Sequence, residues 1–345
     1  MSAKSKAMVG LATGIGALAL GVTSGTVVLA NHFLEEFTRP HEVIDTEDFN
    51  LVLPVTGTEP PASLQRLVSF NTKDGAQLCG EFWAQPQPAP TIILCHGFRI
   101  TRQHMRPVAA LQYEFGYNVL LFDFRGHGES DSIATTGGKA EVKDLEAALV
   151  VARQQKETLP GKLIIHGFSM GAAIALLLPP QPDVAGIIAD SPYAHLDDIL
   201  RRLIRQYLTL GSDAWKPFFH KVRNLFPMIA WATVMTSTFV FRVRFGHALL
   251  AYPANSFRCW RNSHSLKHFP LAKYTPILLI HAEDDDLIPI AHARELAQQA
   301  QSQQIPIDTY FVNEGNHCGA YKSNPEEYIT TLQKFLTKHL ETQAA

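Results

Sequence analysis

Leu163-Ile164-Ile165-His166-Gly167-Phe168-Ser169-Met170-Gly171-Ala172-Ala173-Ile174-Ala175-Leu176-Leu177-Leu178 is the stretch on which the fold turns. Its first three residues form the short apolar, β-branched run of a buried strand, whereas Ala172 to Leu178 are strong helix formers with no polar face. Strand and helix therefore meet at Ser169. Gly167 and Gly171 stand at minus two and plus two, where a tight strand-to-helix turn brings backbones too close together for side chains. A Gly-x-Ser-x-Gly turn of this kind lifts a hydroxyl clear of a sheet and places it at a helix N-terminus, whose unpaired amides and dipole favour developing negative charge. The pentapeptide by itself is weak; the apolar strand before it and the apolar helix after it supply the context it needs.

At 345 residues and 46% hydrophobic, the chain is long and apolar enough for one large domain or two small ones. Thirty Lys and Arg nearly balance 32 Asp and Glu, so no global field recruits nucleic acid, and no nucleic-acid-binding motif is present. Nucleic acid is not an expected partner. Cys79, Cys95, Cys259 and Cys318 lack metal-ligand spacing and their pairing is not readable, so they read as small buried hydrophobes. Neither a metal nor a cofactor is implied.

Ala7 to Ala30 is uncharged over 24 residues, enough at about 1.5 Å per residue to cross a hydrocarbon layer of roughly 30 Å. Lys4 and Lys6 precede it and Glu35 and Glu36 follow, which puts the N-terminus in the cytoplasm and the remainder outside. A cleaved signal peptide competes, because Val28-Leu29-Ala30 resembles a small-residue cleavage site and would leave the chain secreted. A buried soluble helix is the third reading. Residues 31–62 turn polar and Pro-containing and read as a tether, leaving 63–345 as the main domain.

That domain opens with Leu67–Asn71 and Gln77–Phe82 flanking Lys73-Asp74-Gly75, a hairpin signal. Strands follow at Thr91–Cys95, Asn118–Phe122, Val184–Asp190, Pro276–His281 and Ile307–Val312, with helical stretches near Gln103–Glu114, Glu141–Gln155 and Pro325–Leu340 between or after them. Leu159-Pro160-Gly161 is expected to stop the helix that precedes the elbow strand. Such alternation argues for a mostly parallel sheet covered on both faces, with its site at the carboxyl ends of the strands.

His96-Gly97, the turn Asp123-Phe124-Arg125-Gly126-His127-Gly128-Glu129-Ser130 and Gly167-Phe168-Ser169-Met170-Gly171, in this order, resemble the α/β-hydrolase superfamily and its serine-aminopeptidase/esterase-like branch over roughly Leu64 to Leu340. The resemblance implies an eight-stranded, mostly parallel sheet and gives Asp123, Arg125 and His127 to fold maintenance. His96 reads as a structural imidazole. The loop after Thr91–Cys95 offers the amide of Phe98, and the elbow helix the amide of Met170, as candidate oxyanion donors.

Ser191-Pro192 begins an excursion, about 193–270, with a basic stretch (Arg201, Arg202, Arg205, Lys216, Lys221, Arg223) and then the uncharged Leu225 to Phe241. A lid over the elbow and an ordinary helix pair explain it equally. Pro227 and the short run argue against a second membrane span.

Four adjacent acids, Glu283-Asp284-Asp285-Asp286, follow the Pro276–His281 strand, and spacing alone does not choose among them; Asp190, ending its own strand, also competes. The resembled pattern His-Gly-x-x-Asp-x-x-Val-Pro, met here by His281 to Pro289 with Ala282 in place of Gly, selects Asp285. His317, after the last strand, is the expected base, in the chain order Ser, Asp, His. The expectation is a serine hydrolase acting on an acyl ester, with peptide or amide cleavage, or a membrane-tethered binding protein without catalysis, as alternatives.

Overall fold

The computed structural model describes residues 25–40, 57–210, 223–246, 248–262 and 275–341. Eight strands, β1 (Gln65–Asn71), β2 (Gln77–Trp83), β3 (Ala89–Cys95), β4 (Asn118–Phe122), β5 (Thr158–Phe168), β6 (Val184–Asp190), β7 (Ile277–Ala282) and β8 (Ile307–Val312), form one sheet in the order β1-β2-β4-β3-β5-β6-β7-β8. β1 and β2 are an antiparallel hairpin and β2 runs antiparallel to β4; the pairings from β4 through β8 are parallel. Among the described residues the helices are α1 (25–38), α2 (Arg106–Glu114), α3 (Glu141–Gln154), α4 (Met170–Leu177), α5 (Leu196–Leu210), α6 (Phe226–Phe245), α7 (Pro253–Asn262), α8 (Ala291–Ser302), α9 (Ala320–Ser323) and α10 (Pro325–Glu341).

The middle strands are apolar on both faces because both are covered. Ile92, Leu94, Val119, Leu121, Ile164, Ile188, Leu278 and Ile280 turn one way and pack with side chains of α2 and α10. The intervening Ile93, Leu120, Ile165, Ile187 and Leu279 are equally buried on the opposite face, where α3 and α4 lie. With the side-chain period of two, the strand register thus fixes which residues each helix layer meets.

Three local expectations are corrected. Leu159-Pro160-Gly161 lies inside β5 and not in a turn before it; the register with β3 jumps from Ala89↔Thr158 to Thr91↔Leu163, so Pro160 bulges where no ladder N–H is needed. Pro227 does not interrupt the apolar run. It sits in the first turn of α6, where a missing N–H is not missed, and the helix continues unbroken to Phe245. By length and composition Arg223–Phe245 could cross a membrane, with a third of its most apolar window buried. Residues 31–38, read as the start of a tether, are helical, while the rest of the expected span (7–24) and of the tether (41–56) lies outside the described residues.

The chain forms two compact units in its described parts. Thr38–Leu196 with Leu250–Ala345 holds the sheet. Met1–Phe37 with Asp197–Leu249 brings together α1 and α6, where the Ser237 hydroxyl donates to the Ala30 carbonyl at 3.2 Å and Arg244 pairs with Glu35 at 2.8 Å. All four cysteines are free thiols: Cys95 and Cys318 are buried as expected, Cys79 is half-buried, and Cys259 is exposed, against the sequence reading.

Candidate active site

Ser169 follows β5 and caps α4 with φ 51° and ψ −113°, a conformation rarely held by a residue with a side chain. Two backbone bonds hold it there: its N–H donates to Asp190 O at 2.8 Å and its carbonyl accepts from Ala173 N–H at 3.0 Å. The flanking glycines are required by contact. A Cβ on Gly167 would lie 2.5 Å from the Ala172 nitrogen, and one on Gly171 would lie 2.6 Å from the Cys95 carbonyl carbon and 2.7 Å from His96 O.

The loop leaving β3 runs beside the serine. A Cβ on Gly97 would sit 3.4 Å from Ser169 Cβ, which brings the Phe98 backbone into the same neighbourhood, and Met170 supplies the first amide of α4. His96 is fully engaged. Its Nδ1–H donates to Gly97 O at 2.7 Å while Nε2 accepts from Phe124 N–H at 3.0 Å, and burial pushes its pKa well below the imidazole norm. The 123–130 turn is likewise held by its neighbours: Asp123 takes the Arg102 amide and guanidinium, Arg125 lies between Asp144 and Asp74, and the His127 ring packs on His96.

The acidic run after β7 divides its work. Glu283 pairs with Arg294 at the surface. Asp284 accepts the amides of Asn316 (2.8 Å) and Gly315 (3.2 Å), fixing the approach to His317. Asp285 is 4% exposed; one oxygen accepts the Leu287 and Ile288 amides at 3.0 and 2.7 Å, and the other receives His317 Nδ1–H at 2.8 Å. With Nδ1 so committed, Nε2 is the acceptor, and the Ser169 hydroxyl lies 2.9 Å from it. The chain thus brings Ser169, His317 and Asp285, 116 to 148 positions apart from the serine, into one hydrogen-bonded line.

Burial opposes protonation of His317, whereas Cys318 and Asp285 favour it, and the net effect holds its pKa well above the imidazole norm. Burial also pushes the Cys318 thiol up, opposed by the facing imidazole of His317. Such an imidazole can accept a proton from the serine while a fixed carboxylate stabilises the imidazolium.

Asp190, the competing acid, does not touch His317. Its carboxylate, 1% exposed, accepts the Ser191 hydroxyl at 2.9 Å and the Tyr328 phenol at 3.1 Å, and burial, opposed by those two donors, raises its pKa to about 6. Sequence reading missed the tasks of Asp284, Ser191 and Tyr328. The pair Asp190-Ser191 was the available signal, since a carboxylate at the carboxyl end of a central strand faces the site of any such sheet.

The sequence profile of the alpha/beta hydrolase family matches residues 92–331. Uncharacterized protein YqkD of Bacillus subtilis is 29% identical over 259 residues, 73% of this chain and 72% of its own. Among solved structures, an esterase of Pyrococcus furiosus superposes with TM-score 0.60 at 24% identity, covering 83% of this chain and 96% of the esterase. An acylaminoacyl peptidase of Pyrococcus horikoshii gives TM-score 0.53 at 14% identity, covering 80% of this chain and 42% of the peptidase. At these identities the two structures share the fold. The elbow, the strand order and the profile covering most of the chain agree: this chain belongs to the alpha/beta hydrolase family.

Proposed function

We propose that this chain is a serine hydrolase that cleaves carboxylic esters of acyl or lipid-like substrates through an acyl-enzyme. The observation that carries the reading is the line Ser169 Oγ–His317 Nε2 at 2.9 Å and His317 Nδ1–Asp285 at 2.8 Å. As Oγ bonds to the acyl carbon, His317 takes its proton; the amides of Phe98 and Met170 stabilise the oxyanion. Collapse expels the alcohol, which takes the proton back from His317. Water, deprotonated by the same imidazole, then releases the acid and restores Ser169.

The ester reading takes its support from the likeness to an esterase over 83% of this chain and 96% of that protein. We place the activity outside the cytoplasm, tethered by residues 7–30, on the charge pattern around that segment; protease accessibility of the catalytic domain in intact cells tests this.

A fluorophosphonate probe should label the wild-type chain and not Ser169→Ala. A series of p-nitrophenyl esters should turn over faster than aminoacyl amides. The reverse order would replace the esterase with an amidase, and an unlabelled wild type would leave a binding protein on a hydrolase fold.

A further inference from the structure

Asp190 is a buried carboxylate that the catalytic line does not use and that faces no Arg or Lys among its described partners. Burying such a group is unfavourable unless its hydrogen bonds perform some task. Its contacts show one. A carboxylate only accepts, so the Ser191 hydroxyl must spend its hydrogen on Asp190, which turns the lone pairs of that hydroxyl toward the Cys318 amide 3.1 Å away. Cys318 directly follows His317, and both Asn316 (φ 60°) and Cys318 (φ 54°) are in the left-handed region, so the base sits between two strained residues. Asp284 holds the upstream side through the Asn316 amide, and Ser191 holds the downstream side. Meanwhile the main-chain carbonyl of Asp190 accepts the Ser169 amide at 2.8 Å.

We propose that Asp190 is a positioning residue: through Ser191 it fixes the loop behind His317, and through its own carbonyl it fixes the nucleophile, so that one position at the end of β6 sets the Ser169–His317 separation. The inference rests on the serine hydrolase reading. Asp285 orients the imidazole ring; Asp190 orients the backbone that carries it.

The test compares full-length wild type, Ser191→Ala, Asp190→Ala, Asp190→Asn, the Asp190→Ala/Ser191→Ala pair and the core truncation Leu332→Ala on p-nitrophenyl butyrate, with melting temperatures. Loosening the base by a fraction of an ångström to about 1 Å lowers kcat of Ser191→Ala by roughly 10- to 100-fold, with KM within about twofold. Asp190→Ala loses a similar factor, and the pair loses no more than either alone, because both cut one chain of contacts. Asp190→Asn, which keeps an acceptor oxygen for Ser191, recovers most of kcat. Leu332→Ala, on the buried face of α10, lowers the melting temperature without lowering kcat, which separates positioning from stability. Additive losses in the pair, or a folded Ser191→Ala with wild-type kcat, overturn the proposal even if Asp190→Ala fails to fold. A wild type that neither hydrolyses nor labels overturns the hydrolase reading and this inference together; an active wild type with an unchanged Ser191→Ala overturns this inference alone.

Discussion

Replacing Gly171 by Ala tests whether the elbow needs its close approach to β3. Two effects oppose each other. Gly171 lies in the first turn of α4, where Ala is the better helix former by about 1 kcal/mol. Its Cβ, however, would lie 2.6 Å from the Cys95 carbonyl carbon and 2.7 Å from His96 O, with the Cys95 oxygen nearer still. All three are backbone atoms of β3 and the residue that follows it, so no side-chain rotation relieves the overlap. Restoring ordinary contact means separating elbow and strand by about 1 Å, an overpacking at the upper end of the usual 1–3 kcal/mol. The clash wins by about 2 kcal/mol, equivalent to a fall of roughly 4–8 °C in melting temperature for a domain of this size. The same displacement moves Ser169 away from His317, and kcat/KM falls by about 100-fold. Gly97→Ala is the internal comparison: its Cβ meets Ser169 Cβ at 3.4 Å and no backbone closer, so its melting temperature stays within about 2 °C of wild type. Calorimetry and ester hydrolysis on the two variants decide the matter. A Gly171→Ala chain with wild-type rate and melting temperature would falsify the claim that contact with β3 sets the elbow.

The remaining predictions concern charge and strain. The base must be neutral to act, so kcat/KM rises with pH through the His317 pKa; its midpoint is expected above the ordinary 6.5, and Asp285→Asn lowers that midpoint and cuts kcat by about 10⁴-fold. An Asp285→Asn profile with an unchanged midpoint contradicts the assigned carboxylate partnership. Ser169→Gly abolishes turnover yet raises the melting temperature, because φ 51° is costly only with a side chain present, by about 1–3 kcal/mol; an unchanged or lower melting temperature removes the strain argument. Asp190 carries a folded pKa of about 6 against an ordinary 3.8, with His317 and Asp285 facing it, so the folded state binds the extra proton between these values and loses stability as pH rises through them. Asp190→Asn is therefore more stable than wild type by up to roughly 3 kcal/mol at pH 8 and gains little at pH 4; denaturant melts giving equal differences at both pH values exclude this.

Much of the sheet was legible because its signals are short in range. The Thr72–Ala76 turn, the apolar β3 to β7 runs and the Gly-x-Ser-x-Gly elbow each declare themselves within a dozen residues. Pro160 misled because a register jump is a property of two strands, and only the pairing of β5 with β3 shows that the bulge tolerates it. Pro227 misled for the opposite reason: the same residue breaks a helix interior and suits a first turn, and the chain does not mark where α6 begins. The acids were hardest. Glu283, Asp284, Asp285 and Asp286 are chemically alike, and what separates them is which one β8 and its loop present to, a contact 30 or more positions away. Resemblance chose Asp285; spacing could not have given Asp284 or Ser191 their tasks.

Strain is distributed in a way that links these residues. Among the described residues, the non-glycine positions with positive φ are Arg99, Ser169, Ser191, Gln304, Asn316 and Cys318. Five of these six follow the carboxyl ends of β3, β5, β6 and β8, and only Gln304 lies elsewhere. Unfavourable backbone persists only where its surroundings over-determine it. Here the support is identifiable: Ser169 is held by the Asp190 carbonyl, Ser191 by the Ile280 carbonyl, Asn316 by Asp284, and Cys318 by the Ser191 hydroxyl. Each of these four is thus anchored to a neighbouring strand or to the loop that leaves one, and the anchors are themselves set by the parallel register of β5, β6, β7 and β8. A slip of one residue between β6 and β5 would carry Asp190 out of reach of Ser169 and reverse which face its carboxylate meets. The register of the central strands, fixed by burial on both faces far from any reacting atom, is therefore what sets the separation of hydroxyl and imidazole.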